Sequence, residues 1–329
     1  MSDTVLFALE AALNGLTVGI MYSLVALGFV LIFKASGIFN FAQGVMALFA
    51  ALTLVGFQQG QIPFSHLINA VFGTSVQNFG WTLPSLLSIL LTVAVMVALA
   101  WLIERLVLKH LVNQEPIILF MATIGLSYFL EGLGDIMWGA EVKRLDVGIP
   151  QGMSSWVDEV TYNIFGYGFY LDTLNLWALV IAGVLVTALV VFSQYTKQGR
   201  ALRAVADDHQ AALSVGISLS TIWVLVWFIA GIIALATGIV WGARAGVSFA
   251  LEVIAYKALP VLMLGGLESV SGAIIGGLAI GILEKLFEIY WGQPLLGGNT
   301  ETWFAYVLAL TVLLFRPQGL FGEKIIERV

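Results

Sequence analysis

The sequence predicts an all-α protein, a polytopic transmembrane helical bundle of about 8–10 segments, some of them short or broken. Three observations lead to this fold class. Of the 329 residues, 60% are hydrophobic and only 10% are charged, whereas about 25% of the residues in soluble domains are charged. The apolar residues form long runs, and most charged residues cluster between them. A single soluble core could not bury this much apolar surface.

Nine apolar runs are candidate membrane segments, and a helix needs roughly 20 residues to cross the hydrocarbon. They are Leu6–Phe33, Phe41–Phe57, Leu83–Ile103, Ile117–Trp138, Leu174–Phe192, Ile222–Trp241, Val247–Leu267, Gly272–Phe287 and Trp303–Phe315. The second, seventh, eighth and ninth runs are short or interrupted by glycine, so we expect re-entrant or broken helices among them. Because the first basic residue is Lys34, the first run is predicted to be a retained helix rather than a cleaved signal. We treat residues 1–329 as one transmembrane domain.

The distribution of lysine and arginine predicts the orientation, since cytoplasmic loops carry the excess of these residues. Basic clusters follow the first, third, fifth and ninth runs; they comprise Lys34, Arg105, Lys109, Lys197, Arg200, Arg203, Arg316, Lys324 and Arg328. The loops Gln58–Thr82 and Gly292–Thr302 contain neither residue type, and the loop Gly139–Asp172 has more acids than bases. An outside N-terminus and a cytoplasmic C-terminus, with nine crossings, satisfy all of these loops.

Composition excludes several classes of function. The net charge of −6 leaves no basic surface for nucleic acid. The chain has no cysteine and three scattered histidines, which excludes thiol chemistry and argues against a metal site. Neither a P-loop nor a G-x-S-x-G or H-E-x-x-H motif occurs. We therefore expect a non-enzymatic chain in the lipid bilayer, with no cofactor of its own.

The most informative stretch is a polar island, Gly199–Gly216, which reads GRALRAVADDHQAALSVG. If its first turn is helical, Arg200 and Arg203 share a face, and Asp207 is placed for an i,i+4 ion pair with Arg203. Asp208 follows directly. The two glycines bracket a short amphipathic helix along the inner membrane surface. The island is either a solvated loop or an element that docks in a cleft of a soluble partner.

Two other stretches place polar side chains within apolar runs, where an unsatisfied polar group is costly. Asn40 and Gln43 begin the second run; Asn40 either caps that helix, or both amides line a polar path. Thr123, Ser127, Glu131 and Asp135 recur every four residues, so they form one helical stripe. We expect Asp135 at the outer interface, and the deeper Glu131, with Thr123 and Ser127, beside the pathway.

Two stretches leave alternatives open. The stretch Gly242–Gly281 contains Arg244, Glu252 and Lys257, and its glycines at 265, 266, 272, 276, 277 and 281 permit either tight helix packing or a discontinuous helix. The outer aromatic stretch comprises Tyr162, Phe165, Tyr167, Phe169 and Tyr170. It is either an interfacial anchor or a docking surface for an extracytoplasmic partner.

Five stretches in this order resemble the LivH/LivM family, the permease subunits of ABC importers for branched-chain amino acids. They read GIMYSLVALGFVLIFKASGIFNFAQG, ERLVLKHL followed by TIGLSYFLEG, GRALRAVADDHQAALSVGI, LGGLESVSGAIIGG and FRPQGLFG. The start of the chain is more similar to the LivH half. One departure is Gln43, where relatives often have histidine, and it bears on solute choice if that side chain touches the solute.

The resemblance implies a bacterial inner-membrane permease that works by alternating access. The complete importer would also contain a second permease, similar or identical to this one, and two cytoplasmic P-loop ATPases carrying ATP and magnesium. A periplasmic binding protein would deliver the solute. The cytoplasmic loop at about 197–220 would couple to the ATPases, through residues Gly199, Arg200, Arg203, Asp207, Asp208 and Gly216. Urea, short amides and aromatic or organic acids are alternative solutes. A stand-alone channel or ion-coupled carrier is the alternative from another class, and only the Glu131/Asp135 stripe favours it.

Overall fold

The computed structural model confirms the all-α fold class. It describes residues 3–73, 75, 78–111, 114–207 and 209–322, within which backbone pairing outside helices and turns is limited to isolated bridges. The helices are α1 Asp3–Ser36, α2 Gln43–Gln58, α3 Ser65–Phe72, α4 Ser85–Leu106, α5 Pro116–Trp138, α6 Ser155–Phe165, α7 Thr173–Tyr195, α8 Lys197–Asp207, α9 His209–Ser214, α10 Leu219–Ala245, α11 Ile254–Gly265, α12 Val270–Phe287, α13 Gln293–Leu296 and α14 Phe304–Phe315.

Six helical stretches in the described part of the chain are long and apolar enough to cross a membrane. They correspond to the first, third, fourth, fifth, sixth and eighth predicted runs. The second and ninth runs are the shorter apolar helices α2 and α14. The seventh run, Val247–Leu267, is broken into a 3-10 turn, Phe249–Val253, and the 12-residue helix α11. Pro260 lies inside α11 and removes one backbone donor there.

The chain folds into two compact units. Unit 1 comprises residues 1–30, 149–186 and 255–329, and unit 2 comprises residues 31–148 and 187–254. The long helices α1 and α7 contribute residues to both units. Neither unit is a continuous stretch of sequence. Unit 1 is assembled from three stretches and unit 2 from two.

Unit 2 is built around α2. Every residue from Gln43 to Gly56 is buried, and α4, α5, α10 and the 3-10 turn pack on this helix. Apolar residues surround α2 on all sides, as is typical of a helix in the middle of a core. The close packing of α10 on α2 requires glycine at position 238 of α10, because a Cβ there would lie 2.6 Å from the Ala47 carbonyl oxygen of α2. With 16 residues, α2 is about 24 Å long, which is less than the hydrocarbon thickness.

Unit 1 is held together by glycine contacts between α1 and α12. A Cβ at Gly15 would lie 2.5 Å from the carbonyl oxygen of Gly281 and 2.8 Å from the Cα of Ile282. Gly19 approaches Gly277 in the same way, so the two helices touch backbone to backbone over one turn. The glycine-rich stretch therefore serves tight packing here, one of its two predicted uses.

Two of the sequence stretches that carry the family resemblance meet in unit 1. The backbone of the C-terminal FRPQGLFG stretch bonds to the end of α11: the Leu320 amide donates to the Leu264 carbonyl at 2.8 Å and the Phe321 amide to that of Gly265 at 3.1 Å. Gly266 and Gly319 have φ values of 102° and 76°, which favour glycine. These bonds hold Leu320 and Phe321 beside the α11–α12 turn.

Candidate functional site

The polar island folds as two helices rather than the single short helix predicted. These are α8, which starts at Lys197, and α9, which starts at His209, while Asp208 lies outside the described residues. One face of α8 is buried against unit 2 through Gly199, Leu202 and Val205. The spacing of three places these residues on one side of the helix. The island is therefore a docked amphipathic element, not a free loop.

The other face of α8 is charged and open. Arg200, Arg203 and Asp207 are all exposed. Arg203 and Asp207 form no ion pair with one another, since the two ion pairs among the described residues both lie in unit 1. Their charges therefore stay available to a partner.

A tight corner joins α7 to α8. The Thr196 hydroxyl donates to the Phe192 carbonyl at 2.6 Å and accepts from the Gly199 amide at 2.9 Å. A Cβ at Gly199 would lie 2.6 Å from the Ser193 Cα and 2.7 Å from the Ser193 carbonyl oxygen. Only glycine therefore fits at this position, where the start of α8 lies against the backbone at the end of α7.

The far end of the island leads into α10. Gly216 has a φ of 85° and ends the turn after α9. Ser218 caps α10 by accepting from the Thr221 amide at 3.4 Å. The Ser220 hydroxyl donates to the buried carboxylate of Glu104, at the end of α4. The island thus leads directly into α10, which packs on α8 and is bonded to the end of α4 through Ser220.

The predicted pathway amides come together at the start of α2. Asn40 and Gln43 are both buried, and the Asn40 amide donates to the Gln43 side-chain oxygen at 3.4 Å. Asn40 also accepts from the Ala42 amide at 3.2 Å, so it forms a local turn just before α2. Gln43 donates to the Ala230 carbonyl of α10 at 3.4 Å. Both side chains are therefore partnered within the core of unit 2.

The α5 stripe continues from this cluster towards the end of α5. Thr123 accepts from the Phe41 amide at 3.2 Å and contacts the Phe39 carbonyl at 3.1 Å, so it fastens the α1–α2 connection. Ser127 is also buried, and Glu131 is half-buried and close enough to Glu252 for electrostatic repulsion. Asp135 is exposed at the end of the stripe, and its place at the outer interface stays a prediction.

Comparison with known proteins identifies the family. The model of the branched-chain amino acid transport system permease component matches residues 11–316. The chain belongs to this permease family. The permease is 27% identical to LivH of Escherichia coli K12 over 332 residues, which cover 100% of both chains. It is 27% identical to BraD of Pseudomonas aeruginosa, covering 98% of each, and 28% identical to a probable LivH of Methanocaldococcus jannaschii, covering 91% and 88%. No solved structure matches.

Membership of this family, together with the six long apolar helices, makes the chain a multi-pass protein of the inner membrane. It is a transport subunit and not an enzyme. In the part of the permease that the structure describes, no group of three His, Asp or Glu side chains is arranged to hold a metal ion.

The permease also contains a charged network in unit 1 that the sequence did not reveal. Lys257 of α11 pairs with the buried Glu284 of α12 at 2.8 Å, and its ammonium also reaches the Glu301 carbonyl at 2.5 Å. The Glu301 carboxylate pairs with Lys285 at 2.9 Å. The network joins α11, α12 and the turn before α14. A buried ion pair of this kind is costly to form in a membrane and even more costly to break.

Three buried hydroxyls lie on the helices at the centre of unit 2. They belong to Thr53 of α2, Ser88 of α4 and Thr237 of α10, and none has a hydrogen-bond partner among the described residues. Single hydroxyls in apolar runs carry no periodic signal, so the sequence did not single them out. They place polar atoms in the interior of unit 2.

The aromatic stretch packs against the start of α1 in unit 1. Tyr167 donates to one Glu10 carboxylate oxygen at 2.9 Å, and the Tyr170 amide donates to the other at 3.1 Å. Phe169 is buried and stacks on Phe165, with ring centroids 5.9 Å apart. Tyr162 is exposed. The stretch anchors unit 1, and its use as a docking surface stays a prediction.

Proposed function

We propose that this permease is the membrane subunit of an ATP-driven importer for branched-chain amino acids. The solute is inferred from the names of its relatives, including the high-affinity permease LivH of Escherichia coli. Two separate cytoplasmic ATPases hydrolyse ATP with magnesium. A second permease subunit, similar or identical, and a periplasmic binding protein complete the transporter.

The observation that carries this proposal is the two-faced helix α8. Its apolar face is docked on unit 2, while Arg200, Arg203 and Asp207 are exposed on the other. A short, charged, rigidly docked helix is the element that a soluble motor needs in order to push on a membrane protein. The chain lacks a P-loop of its own, so active transport requires an external source of energy.

The proposed mechanism is alternating access in a single transmembrane domain. With the N-terminus outside and the C-terminus in the cytoplasm, α8 faces the ATPases. Closure of the ATPases on ATP displaces α8. The Gly199 corner passes this displacement to α7, and the Ser220–Glu104 hydrogen bond passes it to α4.

We also propose that the solute passes beside the start of α2. The two amide bonds there are 3.4 Å long, which is longer than the 2.7–3.2 Å of good hydrogen bonds. A passing solute can therefore replace them at little cost. Thr123, Ser127 and Glu131 supply further polar groups along α5.

Reconstitution tests the proposal. The permease is co-expressed with the genes that neighbour its own, purified, and placed in vesicles with the co-purifying subunits and the binding protein. We expect a P-loop ATPase to co-purify, and uptake of tritiated leucine to require ATP on the ATPase side. A permease that purifies alone and moves leucine down an ion gradient without ATP would instead be a carrier.

A further inference from the structure

A cleft lined by both polar and apolar side chains lies in unit 2, apart from the α8 surface and the amide cluster. Its volume is about 780 Å³, within the range of small-molecule sites. It lies between α3 and the end of α5, and the loops around Gln61 and Asn78 and around Lys143 complete it. The proposed orientation places both loops on the extracytoplasmic side, where a solute arrives.

Lys143 is the unusual residue of this cleft, because it is 93% buried and yet pairs with no acid. Its exposed fraction is 7%. The ammonium donates to the Gln61 side-chain oxygen at 2.6 Å and to the Trp138 carbonyl at 2.5 Å, and it forms no ion pair within the described residues. A lysine has three donors, so one remains for an acceptor in the cleft.

The surroundings hold this ammonium in place. The Lys143 backbone exchanges two hydrogen bonds with Val247, at 2.9 and 2.8 Å. Gln61 donates its amide to Gln59 at 3.1 Å, which turns its oxygen towards the lysine. Burial lowers the pKa of Lys143, and the Glu141 carboxylate opposes this shift. A carboxylate bound beside the ammonium would offset the desolvation.

The same cleft also offers negative charge. Asp135 and Glu141 line it, and both are exposed. One lysine and two acids give the lining a net charge of −1, since 1 − 2 = −1. A simple carboxylate would meet repulsion from the acids, and a simple amine would meet repulsion from the lysine. An α-amino acid presents its carboxylate to the lysine and its ammonium to the acids.

The indole nitrogen of Trp138 is buried without an acceptor in the described chain, which adds a second unused donor among the lining residues.

We propose that this cleft receives the zwitterionic head of an α-amino acid on its way into the permease. Lys143 binds the carboxylate, while Asp135 and Glu141 bind the ammonium. The inference rests on the proposed import of amino acids, and it adds the residues that recognise the head group. Because the cleft is open, its role is brief capture rather than tight storage.

The test measures binding of tritiated leucine to the permease complex in nanodiscs, without the binding protein. Two competitors each lack one charge: isocaproate has no ammonium and isoamylamine has no carboxylate. We expect Lys143→Met to weaken leucine binding by about 10- to 100-fold, the loss of one charge-assisted hydrogen bond, and to leave isoamylamine binding unchanged or improved. Asp135→Asn combined with Glu141→Gln weakens leucine binding but not that of isocaproate.

The matched control is Arg144→Gln, which removes an exposed positive charge from the next position and does not touch the cleft. The double variant Asp135→Asn, Glu141→Gln changes only exposed side chains. If Lys143→Met does not fold, leucine binding by this double variant still tests the proposal. Leucine binding that is equal in the wild type, the lysine variant and the acid variant would overturn this inference, while ATP-driven leucine uptake by the wild type would leave the proposed function standing. A wild type that neither binds nor imports any branched-chain amino acid would overturn both.

Discussion

Replacement of Gly199 by alanine should weaken the attachment of α8 to the membrane domain. The added Cβ would lie 2.6 Å from the Ser193 Cα and 2.7 Å from its carbonyl oxygen. Carbon atoms in good contact are about 3.5–4.0 Å apart, so α8 must move away by roughly 1 Å. The obstacle is backbone, which cannot rotate aside as a long side chain can.

Overpacking of this kind costs about 1–3 kcal/mol. Because the strain exists only while α8 is docked, it acts on the equilibrium between docked and undocked α8. A free energy of about 1–3 kcal/mol shifts such an equilibrium by roughly 5- to 150-fold. We therefore expect faster hydrogen exchange of the α8 amides, and more ATP hydrolysed per leucine imported.

Both quantities are measurable on the reconstituted complex, by hydrogen–deuterium exchange and by parallel counting of phosphate and tritiated leucine. The control is Gly183→Ala in α7, because a Cβ at that exposed position meets nothing within 4 Å. Gly199→Ala could instead leave both the hydrogen exchange of the α8 amides and the ATP-to-leucine ratio at wild-type values. In that case the α7–α8 corner does not transmit force, and this reasoning is refuted.

Three further predictions concern stability, measured as the thermal unfolding midpoint of the purified complex. Gly281→Ala should lower it, since the Cβ would lie 2.5 Å from the backbone of α1 and cost about 1–3 kcal/mol; an unchanged midpoint would contradict the close contact. Thr123→Val should cost about 1 kcal/mol, because it removes the hydroxyl that accepts from the Phe41 amide at 3.2 Å, while that amide keeps its 3.1 Å bond to the Phe39 carbonyl, and Thr123→Ser should retain that stability. Glu284→Leu alone should cost less than the about 3–5 kcal/mol of a fully buried pair, because Lys257 is partly exposed and keeps its bond to the Glu301 carbonyl, and adding Lys257→Met should restore most of the loss; additive losses would argue against the pair.

The sequence predicted the long helices well, because a long apolar run is a local signal. The fourth run, Ile117–Trp138, matches α5 to within one residue. The prediction was wrong in detail at the polar island, where two helices replace one. The run Val247–Leu267 is broken into a 3-10 turn and a short helix, in agreement with the broken helices expected among the short runs. The end of a polar helix depends on which face docks, and the sequence alone does not determine that.

Features that depend on distant residues could not be predicted in this way. Lys257 and Glu284 are separated by 27 positions, and only the packing of α11 on α12 brings them together. The same applies to Gly15 and Gly281, whose close contact joins opposite ends of the chain. The sequence shows Lys143 only as a charged residue in a loop. Its burial could not be predicted, because it depends on contacts with Gln61 and Trp138.

The central claim is that α8 couples ATP hydrolysis on other chains to transport through this one. The most direct test replaces Arg203 and Asp207 together by alanine, and compares this variant with Arg144→Ala combined with Glu159→Ala, which removes the same charges from exposed positions between α5 and α7. In vesicles containing the complete transporter, we expect the α8 variant to lose leucine uptake while ATP hydrolysis continues, and the control to retain both. Leucine uptake by the α8 variant at the wild-type rate, with the wild-type ATP-to-leucine ratio, would contradict the claim.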